Sequence, residues 1–535
     1  MIRISRGLAA LVYAGVPACE FDPSGQGSTS AATFASTSPS SEDDSGSSAV
    51  TGSEGDGGSS HGESDSGGAC MPGNVGCPCD AGACFDVLTC MGNVCVVPSC
   101  PNAIVEIGEA CDDGNGIDDD GCDIDCKASS GVARVALGIE HTCVVLHGGE
   151  VRCWGNGTHG KTGHGDPATI GDMLPASSSE TLVLPGPVDR VALAVDSSCA
   201  LLRDGTITCW GNVAEGRLGY GPAVVEDVGD TEPAGSAGAV DIGGAAIDVA
   251  LGAAHTCAVR DDGRVLCWGS GASGRLGSGS TMSIGLAQRP VDVPAVDLGA
   301  LAATRVVAGL AHTCALLANQ EVRCWGESES GILGDPSFTQ DFGDDPDEVP
   351  AAGASVQLGG PATAIDAGNQ HTCALLANST VRCWGFGNAG RLGLGSNDNI
   401  GDDETPADHA VQLGGNALQI VAGRAHTCAV RDDNALVCWG TGNSGKLGTG
   451  ANDDLGDVPE QVPSMLVPVV VHDEAGVALL AVDAGGDHTC ARLTGGRLRC
   501  WGEADQGQLG YGNEDDIGGP MRSILQAGDV PVGFP

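Results

Sequence analysis

The chain has 535 residues, 87 of them glycine, with few aromatics and a formal net charge of −46. Nucleic-acid binding is excluded on charge, because phosphate contacts need a basic surface. The scarcity of aromatics and the abundance of glycine, with apolar content drawn from Ala, Val and Leu, point to many short strands and tight turns.

Arg3 and Arg6 precede a short apolar run that ends at Val16-Pro17-Ala18-Cys19. A basic start, about ten apolar residues and a small residue before the cut describe an export signal, too short to span a bilayer as a mature helix. A cysteine directly after the cut resembles a bacterial lipoprotein lipobox, which makes Cys19 the expected lipidation site and residues 1–19 the signal. Pro17 departs from the small residue usual there, and an ordinary signal peptide cut nearby is the alternative. Setting Cys19 aside leaves 24 of the 25 cysteines, an even number suited to an oxidising compartment. The expected destination is outside the cytoplasm, as an outer-membrane or cell-surface lipoprotein or a free extracellular protein. Contact with the membrane is expected through the lipid alone.

Residues 20–69 are mostly Ser, Gly, Thr, Asp and Glu. Such a segment buries too little to offset its ordering entropy and is expected to be a disordered tether. Residues 70–126 hold ten cysteines, six from Cys70 to Cys95 and four from Cys100 to Cys126. The second group, with Gly108-Glu109-Ala110-Cys111-Asp112-Asp113-Gly114-Asn115 and Asp120-Gly121-Cys122, resembles a short cysteine-rich repeat of secreted myxobacterial proteins. Two small disulfide knots are expected, with connectivity open. Zinc is the rival reading, prompted by Cys77-x-Cys79 and Cys122-x-x-x-Cys126, but the segment has no histidine and the expected compartment is oxidising. The acidic run from Asp112 to Asp125 does not satisfy the EF-hand pattern.

From residue 131 one unit recurs seven times. A strand ending in a cysteine is followed by a turn and a Cys-Trp-Gly whose cysteine lies ten residues on. The pairs are Cys143 and Cys153, Cys199 and Cys209, Cys257 and Cys267, Cys314 and Cys324, Cys373 and Cys383, Cys428 and Cys438, and Cys490 and Cys500. Successive first cysteines stand 55 to 62 residues apart. That period suits one propeller blade. A three-residue hairpin loop wants a left-handed residue third, and Gly149, Gly205, Gly263, Asn434 and Gly496 fill that place. Gln320 and Ser379 stand there in copies four and five, so different turns are expected. Centring the turn sets each cysteine opposite its partner and predicts seven cross-strand disulfides; buried free thiols are the rival. The tryptophan after each second cysteine points to the other face and is expected to pack between blades.

Together with the Gly-x-Leu-Gly tails, as in Gly390-Arg391-Leu392-Gly393, these units resemble the repeat of the regulator of chromosome condensation family. The resemblance covers residues 131–535 and implies an all-β fold, a seven-bladed β-propeller. Usual members lack cysteine at both hairpin positions, so the chain looks like an extracellular variant. The eukaryotic namesake is a guanine-nucleotide exchange factor; similar repeats also build a secreted inhibitor of β-lactamase, a pure binding surface.

Histidine opens the middle strand of six copies (His141, His255, His312, His371, His426 and His488), while copy two has Ser197. Repetition in nearly every copy predicts structural hydrogen bonding rather than a metal ring. An apolar-Gly step recurs in the long loops, as in Ile170-Gly171 and Ile400-Gly401, amid carboxylates. Such loops share one face of a propeller and are expected to form an acidic collar. It would steer a cationic partner or hold calcium, with Asp402, Asp403, Asp453 and Asp454 as candidate ligands; solvated loops are the alternative. Gly221–Gly238 and Gly334–Pro350 differ most from their counterparts and are expected to set specificity.

No catalytic motif stands out, and the chain is expected to be no enzyme but a surface scaffold for a protein or surface polymer. A GTPase regulator, or a polysaccharide hydrolase or lyase working in the central channel, is the alternative. Short strands preceding most copies, such as Gly186-Pro187-Val188, suggest that the C-terminal Val530–Phe534 closes the ring by supplying the strand that copy one lacks.

Overall fold

The structure is a computed structural model that describes residues 131–533 and two short strands, Thr89–Met91 and Val94–Val96. These two strands pair antiparallel, with Cys90 opposite Cys95. They belong to a compact unit separate from the one that contains the repeats. Cys19, the expected tether and most of the cysteine-rich module lie outside the described residues.

Each repeat forms one three-stranded antiparallel sheet, and there are seven. In blade one the inner strand is Val132–Leu137, the middle strand His141–Leu146 and the third strand Val151–Gly155. The other inner strands are Val188–Leu193, Ala246–Leu251, Ala303–Ala308, Ala362–Ala367, Ala417–Ala422 and Leu479–Ala484. Middle strands are buried along nearly their whole length because both faces meet a neighbouring blade. That double burial explains their continuous apolar runs, such as Ala374-Leu375-Leu376.

Every repeat cysteine pair is bonded and lies directly opposite in the ladder, with Cα atoms 4.0–4.1 Å apart. The turn expectation for copies four and five was wrong. Gln320 (φ 68°) and Ser379 (φ 62°) take the same left-handed conformation as Asn434 (φ 65°) and the glycines. The preceding residue supplies a reason. Asn319 Oδ1 accepts the Glu321 N–H and Asn378 Oδ1 the Thr380 N–H, as Asp204, Asp262 and Asp433 do in three other blades. This side-chain turn offsets the left-handed cost that glycine avoids elsewhere.

Ring closure also differs from expectation. A fourth, outer segment pairs with the third strand of its own repeat. Leu182 N donates to Val151 O, Val240 to Ile207, Val296 to Val265, Val356 to Val322, Val411 to Val381 and Val469 to Leu436, all at 2.8–3.1 Å. Val530 N makes the same bond to Leu498 O at 2.8 Å, in blade seven. The C-terminal segment therefore completes its own blade and not the first. Every blade is contiguous in sequence, and the joint between blades seven and one uses the same contacts as the other joints.

Candidate binding surface

The joints absorb most of the repeated polar residues. In each, one carbonyl of the tail accepts the indole N–H of the following blade's tryptophan at 2.9–3.0 Å. The acceptors run from Lys161 O (Trp210) through Arg217 O (Trp268), Arg275 O (Trp325), Ile332 O (Trp384), Arg391 O (Trp439) and Lys446 O (Trp501) to Gln508 O, which takes Trp154 and closes the circle. At six joints the same carbonyl also accepts a hydroxyl: Ser198, Thr256, Thr313, Thr427, Thr489 or Thr142. A hydroxyl that has given its single proton to a carbonyl meets a histidine only as acceptor. Five of the six histidines meet such a hydroxyl. Nε2 of His141 lies 2.9 Å from Ser198 Oγ, and those of His255, His371, His426 and His488 lie 2.9 Å from Thr313, Thr427, Thr489 and Thr142. In these five pairs Nε2 therefore carries the hydrogen. Nε2 of His312 lies 2.9 Å from Thr372 Oγ1, and in all six histidines Nδ1 is buried without a partner. Burial holds the imidazoles neutral: His255, His312 and His426 are pushed down to about 3 and His488 to about 4, while His141 and His371 fall well below their ordinary value. Copy two has Ser197, so Thr256 meets no histidine and the circuit is open there.

The tail glycines fit the same joint. A Cβ on Gly393 would stand 2.7 Å from the Trp439 indole nitrogen. One on Gly390 would strike the backbone of Gly456 at 2.2 Å. The apolar-Gly step is thus a clasp. Its apolar member pairs with the glycine after its own tryptophan, as Ile400 with Gly385, and its glycine receives the preceding blade's tail. Copy three carries it too, at Ile284-Gly285, which the sequence pattern missed because no carboxylates crowd that loop.

A second set of contacts was not visible as a repeat. Side chains of the inner strands reach across to the next inner strand. Asp248 accepts from Arg190 Nη1 at 2.6 Å and from Val306 N at 3.0 Å, and Asp366 accepts from Ala422 N at 2.8 Å. Gln419 bonds both the C=O and the N–H of Val482, at 2.7 and 3.1 Å. These bonds occupy backbone groups on strand edges that would otherwise lack a ladder. Aspartate serves from two different strand positions and glutamine takes its place at a third joint, so no fixed spacing betrays them. Two cavities of about 90 and 100 Å³ lie along the axis, well under the roughly 300–1,000 Å³ of small-molecule pockets.

What remains outward is the long-loop face. All seven loops leave the end of the third strand, on the side of the turn between inner and middle strands and opposite the hairpins. Asp402, Asp403, Asp453 and Asp454 are all exposed there, one pair after blade five and one after blade six. Asp402 bonds Asn399 and the Asp403 N–H, while Asp454 caps the Gly442 N–H. Among the described residues no group of three His, Cys, Asp or Glu side chains is gathered to hold a metal ion. The structure therefore does not bring these four together as one calcium site. The collar is also uneven. Blade three's loop, residues 270–295, has Asp292 as its single acid, beside Arg275 and Arg289.

The two divergent loops carry their own features. Within Gly221–Gly238, Val225 is 70% exposed beside Glu226 and Asp227 and lines a recess of about 310 Å³. Within Gly334–Pro350, the rings of Phe338 and Phe342 pack at 50° to each other with centroids 4.6 Å apart. The Glu348 carboxyl nearby is pushed up by burial and by its hydrogen bond with Asp344.

Comparison with known proteins agrees with this architecture. The profile of the RCC1-like domain matches residues 180–530, and that of the regulator of chromosome condensation (RCC1) repeat matches residues 132–161. The ultraviolet-B receptor UVR8 of Arabidopsis thaliana is 28% identical over 348 residues, 65% of this chain and 72% of that protein. The human E3 ubiquitin-protein ligase HERC2 is 29% identical over 268 residues; the match spans 50% of this chain and 5% of that far longer protein. Among solved structures, human WBSCR16 superposes with a TM-score of 0.54 at 18% identity, covering 70% of this chain and 92% of that one. Prp20p of Saccharomyces cerevisiae, described with its binding to Gsp1p and histones, gives 0.51 at 19%, covering 66% and 80%. At these identities the structures support the fold.

Proposed function

The chain belongs to the RCC1-like domain family, and on that premise we propose that it is a non-enzymatic binding scaffold, exported and tethered at the cell surface, whose acidic loop face receives a basic protein or surface polymer. The observation that carries the proposal is the use of the repeated polar residues. The histidines, hydroxyls, indoles and tail carbonyls are engaged in the joints between blades, so no copy is set apart for chemistry. Variation is left to loops held on a rigid ring, where recognition is usually placed. Residues 131–535 hold 50 acidic and 21 basic residues, a charge of −29 that accelerates encounter with a cationic partner. The signal-like residues 1–19 and the polar segment 20–69 supply the export and the tether. An exported chain has no access to a cytosolic GTPase, which weighs against an exchange-factor role. The disulfides fit the same compartment, as do the even cysteines of the N-terminal module, of the kind seen in secreted myxobacterial repeats.

The test is capture of partners from the native cell surface by purified propeller at physiological and at high ionic strength. The Debye length falls from about 8 Å at 0.15 M to about 3 Å at 1 M. A partner held by the collar is released at the higher salt. Partners whose capture is the same in both conditions contradict the proposal. Parallel samples with calcium and with a chelator test whether capture depends on that ion, and the same comparison on a variant with Asp402→Asn, Asp403→Asn, Asp453→Asn and Asp454→Asn decides whether these four aspartates hold it.

A further inference from the structure

Blade six differs from blades two to five on its outer side. The outer segment of a blade has one solvent-facing position, filled by Asp241, Asp297, Gln357 and Gln412 in blades two to five, all exposed, and by Val183, 68% exposed, in blade one. Blade six has Val470 there, 56% exposed, with Val467 at 81% and Met465 at 66% close by in the chain. Its loop is built from two proline-led turns, Pro459–Gln461 and Pro463–Met465, that present these side chains. Opposite them stands the short helix Ile524–Ala527 from the loop of blade seven, with Leu525 37% exposed. Between the two runs a groove of about 510 Å³, lined by Leu455, Met465, Val467, Val470 and Leu525, with Asp453 its single charged residue. The volume lies within the range of ligand-sized pockets. A contiguous exposed apolar cluster of this kind marks an interaction site.

We propose that this groove between blades six and seven docks an extended apolar segment of another protein that carries a lysine or arginine beside its anchoring side chain. This deepens the scaffold reading by placing one binding subsite on the ring. The apolar walls take the anchor, and Asp453 at the edge takes the cation. No lysine or arginine lines the groove to repel it. Charge also disfavours the other occupants. A second copy of this chain would bring another −29, and an anionic lipid surface would be repelled in the same way.

The probe is a fluorescein-labelled peptide of alternating leucine and lysine, titrated into the full chain at moderate salt, with a leucine–glutamate peptide as counterpart. Val470→Gln installs the residue that blades four and five already hold at this position, so the blade keeps its fold and the chain its charge. Saturable binding of the lysine peptide is expected, weakened about tenfold by Val470→Gln combined with Met465→Gln, as for loss of an interface anchor. Asp453→Asn narrows the preference for lysine over glutamate. Absence of saturable binding, equal binding by the glutamine variant, or equal binding of the glutamate peptide overturns the proposal. So does a wild-type dimer in sedimentation that Val470→Gln converts to monomer, which would assign the groove to a second copy. The variant with Val470→Gln and Met465→Gln keeps Asp453 and the other loop-face carboxylates, so salt-dependent capture by that variant still tests the scaffold reading and the two readings fail separately.

Discussion

Reduction of the seven cystines is expected to unfold the propeller. Each bond closes a loop of ten residues in sequence separation, for which the chain-entropy estimate is about 2–3 kcal/mol. Seven together reach about 15–20 kcal/mol, more than the roughly 5–15 kcal/mol net stability of an ordinary domain. Circular dichroism and melting in the presence of a phosphine reductant check this. Loss of the folded signal at 25 °C, reversed by reoxidation, is the expected result. An unchanged melt would mean that the ring is held by its joints alone. Mapping the non-reduced protein should also return seven peptides joining cysteines ten residues apart.

Acid is expected to destabilise the ring through its histidines. All six are fully buried, with pKa values held below the ordinary value near 6.5, so below that pH the unfolded chain takes up protons that the folded one refuses. Their stabilising contribution is complete above pH 6.5 and is lost as the pH falls toward 4 and then 3. Each histidine adds up to about 1.4 kcal/mol per pH unit within that window. Four carboxyls work the other way. Asp483 and Glu503 are pushed up to about 7, first by burial and then by neighbouring carboxylates, and Glu327 and Glu348 are also raised, first by burial. What they contribute is present at low pH and lost as the pH rises through their folded-state values. Six sites against four leave a net loss on acidification. Urea melts between pH 7 and 4 measure the slope, and His371→Gln isolates one site. The glutamine amide can still donate to Thr427, so the variant should fold and show a slope shallower by about 1.4 kcal/mol per pH unit. A variant slope equal to that of the wild type would mean that His371 titrates normally.

The parts of this architecture that recur at fixed spacing were legible in the sequence. Ten-residue cysteine pairs set the hairpin register, and tryptophan on the alternate face placed the joint, because strand periodicity allows few other solutions. The histidine's structural role followed from its repetition. The partner of each histidine did not, since it lies in the next repeat, 56 to 63 residues on in the five bonds that join consecutive histidine-bearing or serine-bearing copies. The outer segment was misassigned to the following copy because Gly186-Pro187-Val188 adjoins it in sequence. The bond from Leu182 to Val151 shows instead that this segment turns back onto its own blade. Gln320 and Ser379 misled because residue type was weighed without the asparagine before each. The inner-strand bridges by Asp248, Asp366 and Gln419 left no signal, since aspartate acts from two different strand positions and glutamine replaces it at a third joint. The groove beside Val470 becomes visible when that valine is aligned with the polar residues of blades two to five.

The proposal that recognition resides on the loop face is tested most directly by removing the same charge from either end of the ring. One variant carries Asp402→Asn, Asp403→Asn, Asp453→Asn and Asp454→Asn on the loop face. The other carries Glu150→Gln, Asp261→Asn, Glu321→Gln and Asp432→Asn on the hairpin face, where all four residues are exposed. Each loses four negative charges, so their long-range fields change alike while their contact surfaces differ. With both variants melting near the wild type, partner capture should fall sharply for the loop-face variant and persist for the hairpin-face one. Equal capture by the two, or loss confined to the hairpin-face variant, would contradict a binding site built on the long loops.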